Sequence, residues 1–196
     1  MKTSGIIYTI GYGVDDYKDF LLSLKMYGIK MLIDVRSYPN SRASWANQRN
    51  LSSKLRNTYS WLPELAGPTA ASGDKRKAGN GPPRPLFTKI PRDQRPKTWW
   101  SPGLHAYDVW MGESKEFAEG IKKLQKLRDH WKHVALMCSE PPWYKCHRSM
   151  ISDAWVAMGG QVKHIINNVL DDHPSGDLLA DRLARYEPRT SRLWTP

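Results

Sequence analysis

The twelve residues Cys138-Ser139-Glu140-Pro141-Pro142-Trp143-Tyr144-Lys145-Cys146-His147-Arg148-Ser149 bring two thiols, a carboxylate, an imidazole and two cations into one short stretch. Cys138 and Glu140 leave the end of an apolar run, and Cys146 to Ser149 stand where a helical pattern begins. The first amides of a helix lack intrahelical acceptors and the dipole is positive there, so an anion is favoured, with Lys145, Arg148 and Ser149 adding to the attraction. The same field lowers a thiol pKa. Cys146 is therefore the candidate nucleophile, and Cys138, closing a buried strand, the candidate packed thiol. His147 offers a base by sequence, and His164, at the end of the following strand, a base by position. Zinc competes for the same side chains. The seven residues between the cysteines exceed the usual two to four and no second cysteine pair exists, so the expectation is no metal and no cofactor.

Asp34 and Arg36 form a second constellation, two apart at the end of a short strand and so on one face of it. They are either an ion pair that fixes a loop or an acid beside an anion-holding guanidinium. Tyr12, Tyr107 and Trp110 are candidate walls of the same pocket. His130, His133 and His173 lie in polar surroundings and are expected at the surface.

These groups need strands that end together. Ile6 to Ile10 is a β-favouring run closed by Gly11-Tyr12-Gly13; Asp15 or Asp16 caps a helical pattern through Tyr27, with Gly28 as its stop. Met31 to Arg36 is the next strand, so a βαβ unit fits in 36 residues. Residues 44–57 hold a helical pattern and Tyr59 to Leu62 a short strand. Phe117, Ile121, Leu124 and Leu127 space as a helix, His133 to Cys138 is a buried strand, Cys146 to Met158 a helix and Val162 to Ile166 a strand. The expected fold is α/β: a mainly parallel sheet flanked by helices, with the site at the carboxyl ends of its strands. It forms one domain over 1–173, followed by a C-terminal extension, 174–196.

Within that domain a Pro/Gly-rich loop is expected over 74–102. Lys75, Arg76, Lys77, Arg84, Lys89, Arg92, Arg95 and Lys97 stand against Asp74 and Asp93, a net +6. The whole chain carries +11 in 196 residues, which points to polyanionic partners. Its nine tryptophans suit base stacking or core filling. A mean hydropathy of -0.63 and the absence of a long apolar run exclude a membrane span, and a start without a signal pattern implies a cytoplasmic protein with free thiols. Oligomeric state is not legible.

The segments IYTIGYG (7–13), LIDVRSYPNSR (32–42), YSWLPELAG (59–67), ALMCSEPPWYKCHRSMISDAW (135–155) and GGQVKHI (159–165) resemble the DUF488 family. The resemblance implies a compact α/β fold, and makes Tyr12, Asp34, Arg36, Cys138, Glu140, Cys146, His147 and Arg148 the matches to its shared polar motifs. A more distant resemblance is to rhodanese-like domains, through Ile33-Asp34-Val35-Arg36 and the Cys138…Arg148-Ser149 pattern, although ten positions separate Cys138 from Arg148. The leading functional expectation is a nucleic-acid-associated protein. Its phosphate-binding, catalytic pocket uses Asp34, Glu140, Cys146 and His147 as chemical groups and Arg36, Lys145, Arg148 and Ser149 as anion holders, with the eight basic loop residues on the phosphate backbone. The alternatives are a small-molecule thiol-dependent sulfurtransferase or phosphate-ester enzyme, and a noncatalytic nucleic-acid-binding module.

Overall fold

The computed structural model describes residues 5–13, 16–67 and 102–178. Six strands, β1 (Ile6–Gly11), β2 (Met31–Asp34), β3 (Tyr59–Trp61), β4 (Val134–Cys138), β5 (Gln161–Ile166) and β6 (Val169–Asp172), form one sheet in the order β3-β2-β4-β1-β5-β6. Every neighbouring pair is parallel except β5 and β6. The expectation of a mainly parallel sheet flanked by helices holds. The strands of the expected βαβ unit, β1 and β2, are not neighbours, because β4 lies between them. Val134-Ala135-Leu136-Met137-Cys138 is buried at every position, as a strand with covered faces and neighbours on both edges must be.

Among the described residues five helices cover the sheet: α1 (Tyr17–Met26), α2 (Gln48–Leu55), α3 (Pro102–Glu113), α4 (Lys115–Trp131) and α5 (Arg148–Ala157). Strand alternation divides the core in two. Ile33 and Leu136 pack with Met111, Phe117, Leu124 and Trp155 from α3, α4 and α5. Leu32, Ala135 and Met137 pack with Phe20, Leu24 and Leu51 from α1 and α2. Helix α1 starts at Asp16, whose carboxylate accepts from the amides of Lys18 (2.7 Å) and Asp19 (2.9 Å).

Two elements are additions to the sequence reading. Strand β6 returns antiparallel along β5 through Asn167 and Asn168, which have φ of 49° and 61°. Two consecutive left-handed residues make the two-residue hairpin turn that asparagines tolerate, so Asn-Asn after Ile166 was the available signal. Helix α3 begins at Pro102, inside the expected basic loop, where a proline suits a first helical position. The rest of that loop, with all eight of its basic residues, and residues 179–196 of the C-terminal extension lie outside the described residues. Among the described residues no helix is long and apolar enough to cross a membrane.

Candidate functional site

Register brings the carboxyl ends of three strands to one edge: Gly11 stands beside Cys138, and Asp34 beside Met137. The loop after β4 crosses this edge closely. A Cβ on Gly11 would sit 2.0 Å from the Glu140 carbonyl oxygen, so the first glycine of the IGYG motif is required for that approach. Two separate clusters occupy the edge.

The first is built on Asp34, buried completely. Its Oδ1 accepts from Arg36 Nε (2.9 Å) and the Arg36 amide (3.0 Å), and its Oδ2 from Arg36 Nη2 (2.6 Å) and Tyr59 hydroxyl (2.7 Å). Arg36 also donates to Tyr12 hydroxyl (3.1 Å) and the Ala46 carbonyl (2.8 Å). Burial disfavours the Arg36 charge, but the Asp34 carboxylate outweighs it and holds the guanidinium protonated more firmly than usual. Burial first, and the Asp34 charge second, push the Tyr59 phenol up. Tyr12 walls this cluster, its ring 5.4 Å from Trp45.

The second cluster joins the end of β4 to the start of α5. Cys138 Sγ, Cys146 Sγ and a ring nitrogen of His147 all lie within 4.8 Å of one another, a span that one metal ion would also bridge. Both cysteines are free and buried. His147 Nε2 lies 2.7 Å from the Val35 carbonyl, which can only accept, so Nε2 carries the hydrogen and Nδ1 presents its lone pair, 3.7 Å from Cys146 Sγ. Tyr107 lies against that imidazole, ring centroids 5.0 Å apart, and donates to the Leu65 carbonyl at 2.8 Å; burial, then the nearby sulfurs, raise its pKa. Trp110, half-buried, packs on Tyr107 at 5.2 Å.

Opposed forces act on the two thiols. Burial pushes Cys146 up, but a hydrogen bond from Cys138, the Arg148 charge, and hydrogen bonds from the Arg148 amide and side chain bring it down to about 6. Cys138 moves well above its ordinary range, because it donates to Cys146 and because burial and the neighbouring thiolate penalise its ionisation. Cys146 is therefore the more acidic thiol of the pair.

This arrangement corrects the anion-binding description. The polar groups at the helix start have partners inside the protein. The Ser149 amide (3.0 Å) and hydroxyl (2.8 Å) both go to the Cys146 carbonyl, and the Met150 amide goes to the His147 carbonyl at 3.1 Å. Arg148, only 1% exposed, donates to the carbonyls of Glu140 and Pro141 and to Thr9. Arg36 is committed to Asp34. Glu140 and Lys145 are exposed on the crossing loop, and it is the Glu140 carbonyl, not its carboxylate, that enters the cluster.

The histidines also differ from expectation. His164 lies with Thr9 and His173 rather than with Cys146, and His173, expected at the surface, is 6% exposed and bonded to Asp153. Asp153, Thr9 and His173 had no functional assignment from sequence. Their separation in the chain hides them, and only the i, i+2 alternation of β1 hints that Thr9 shares a face with Ile7.

Fold and site together define a three-layer α/β protein with a buried two-thiol cluster where its central strand meets a helix. The model of the domain of unknown function DUF488 matches residues 16–155, and the chain belongs to that family. No curated protein and no solved structure matches the chain. The family's description carries no nucleic-acid, DNA or anion binding and no rhodanese likeness, so those labels are withdrawn as descriptions of this chain. The rhodanese comparison also fails on chemistry here: Cys138, the thiol at the strand end, is the one driven away from the thiolate form.

Proposed function

We propose that this protein is a thiol-dependent enzyme acting on a small electrophilic substrate, with Cys146 as its nucleophile. The observation that carries this reading is the convergence of both sulfurs and a His147 nitrogen within 4.8 Å beside a buried guanidinium. Thiol chemistry needs a thiolate, a positive field to hold it and a base nearby. Arg148 supplies the field through its amide and side chain, Cys138 donates its S–H, and His147 Nδ1 takes the proton when Cys146 is neutral. In the transfer step Cys146 Sγ provides the electron pair of the new bond to the electrophilic atom, and the leaving group departs with the pair of the broken one. A second nucleophile then displaces the transferred group and restores the thiolate, so the cycle balances without a redox partner. Asp34 and Arg36 brace the edge of the sheet and take no part in the transfer.

The test is a pH titration of thiolate ultraviolet absorbance. One sulfur of the wild-type protein should titrate near pH 6. Cys138→Ser, which keeps a hydroxyl donor, should leave the midpoint below the free-thiol value of about 8.5. A wild-type midpoint at or above that value reduces Cys146 to packing. An absorbance band abolished by a chelator would assign the sulfurs to a metal ion and likewise overturn the reading.

A further inference from the structure

A chain of four buried side chains runs from Asp153 on α5 past the β5-β6 end of the sheet to β1 and Arg148. Asp153 Oδ1 is 2.7 Å from His173 Nε2, His173 Nδ1 is 2.9 Å from His164 Nε2, and His164 Nδ1 is 2.7 Å from Thr9 Oγ1. Thr9 Oγ1 in turn accepts from Arg148 Nη1 at 3.4 Å. Thr9, Asp153 and His164 are fully buried. Three titratable groups bonded end to end inside a core are costly, and burial of such groups is stable only when their donors and acceptors match.

They match in one direction. A carboxylate accepts only, so His173 carries its hydrogen on Nε2, and in a neutral ring Nδ1 then accepts. His164 must donate from Nε2 and accept at Nδ1, so the Thr9 hydroxyl points its hydrogen at His164. That turns the Thr9 lone pairs toward Arg148. The indole of Trp143 lies flat on His164, centroids 4.1 Å apart and planes 8° apart, and fixes the ring plane that this order requires.

We infer that Thr9, His164, His173 and Asp153 are positioning residues that fix the Arg148 guanidinium beside the Cys146 sulfur. This rests on the thiolate reading of the site. Arg148 Nε is buried without a hydrogen-bond partner of its own, so the placement of this side chain depends on what holds its Nη groups. The carbonyls of Glu140 and Pro141 hold Nη2 from the loop, and Thr9 holds Nη1 from β1. A guanidinium gripped from the loop alone would swing with it. Thr9 on β1, bonded to His164 on β5, ties it to the sheet instead. Arg148 does not release its proton, so the chain orients a charge and carries no proton to the thiol.

The experiment repeats the thiolate titration in Thr9→Val, Thr9→Ser and Asp153→Asn, alongside ¹⁵N spectra of the histidine rings. Thr9→Val, which keeps the shape and removes the hydroxyl, should raise the Cys146 midpoint by about one pH unit, and Thr9→Ser should restore it. Asp153→Asn discriminates by sign. Loss of a negative charge alone would favour the thiolate and lower the midpoint, whereas loss of orientation raises it. The spectra should report Nε2 protonated and Nδ1 bare on both His164 and His173, a signature readable even if a variant fails to fold. A wild-type midpoint near 6 with an unchanged Thr9→Val value, or with protonated Nδ1 atoms, overturns the positioning role alone. A wild-type midpoint in the ordinary thiol range overturns the thiolate reading and this role with it.

Discussion

Two buried arginines stand at the same edge of one sheet, and they are employed in opposite ways. Arg36 meets a carboxylate in a fork-to-fork pair, and its remaining hydrogens go to Tyr12 and Ala46. Among the described residues Arg148 meets no carboxylate. Its Nη groups go to carbonyls and a hydroxyl, its Nε is left without a partner, and the acid beside it is the Cys146 thiol, whose pKa Cys138 and then the arginine bring down. A charge whose partner is complete is a brace. A charge whose partner is a weak, ionisable acid stores reactivity in that acid. The residue type and burial are the same at both places, and what differs is the basicity of the partner.

The largest expected effect comes from breaking the brace. Arg36→Met strands the Asp34 carboxylate in the core and should cost about 3 to 5 kcal/mol in denaturant unfolding, the usual penalty for removing one partner of a buried pair. Adding Asp34→Asn in the same chain should recover part of that loss, because the stranded charge is gone. The thiolate midpoint should stay near 6 in the double variant. A shifted midpoint would mean that the two clusters are coupled, with the Val35 carbonyl, which accepts from His147, as the physical link.

How far the sequence led follows the same division. Asp34 and Arg36, two apart on a strand, were legible as neighbours on one face, but whether as an ion pair or as an acid beside an anion holder was left open, and the structure gives the ion pair. The strands and the helix patterns were equally local matters. What failed was long-range. The proximity of Cys138 and Cys146 needs the crossing loop, and the seven intervening residues, which argued against zinc, said nothing about it. The Asp153 to Thr9 chain draws on β1, α5, β5 and the residue after β6, and no spacing rule joins positions 9, 153, 164 and 173. The external anion site was read from a helix N-terminus, and the amides and hydroxyl found there are bonded within the protein.

An intermediate effect should appear in the pH dependence of stability. The folded pKa of Cys146 lies below its ordinary value of 9.0, so its thiolate favours the fold increasingly as pH rises from about 6 toward 9 and that contribution is lost as pH falls through 6. Cys138 is shifted the other way, and its contribution is lost as pH rises above the ordinary thiol range. Unfolding free energy of the wild-type protein, relative to Cys146→Ser, should therefore climb between pH 6 and 9 by about 3 kcal/mol, the linkage value of that shift, and level off beyond it, since Cys138 is present in both proteins. A flat difference across that range would make Cys146 no more charged in the fold than out of it.

The smallest expected effect sharpens the comparison from the brace side. Tyr59 donates to Asp34 Oδ2 at 2.7 Å, and Tyr59→Phe removes that hydroxyl while leaving the ring in the core formed with Leu32 and Leu51. A hydrogen bond to a charged group is worth about 1.5 to 3 kcal/mol when its loss leaves the partner bare. Asp34 would not be bare, because Arg36 still gives it three donors, from Nε, Nη2 and the amide. The cost should therefore fall to about 1 kcal/mol, the level of an ordinary net hydrogen bond. The thiolate midpoint should not move at all. Loss on the scale of Arg36→Met would show that the Asp34 cluster works as one unit in which no member is redundant, and that the brace is nearer to failure than its count of donors suggests.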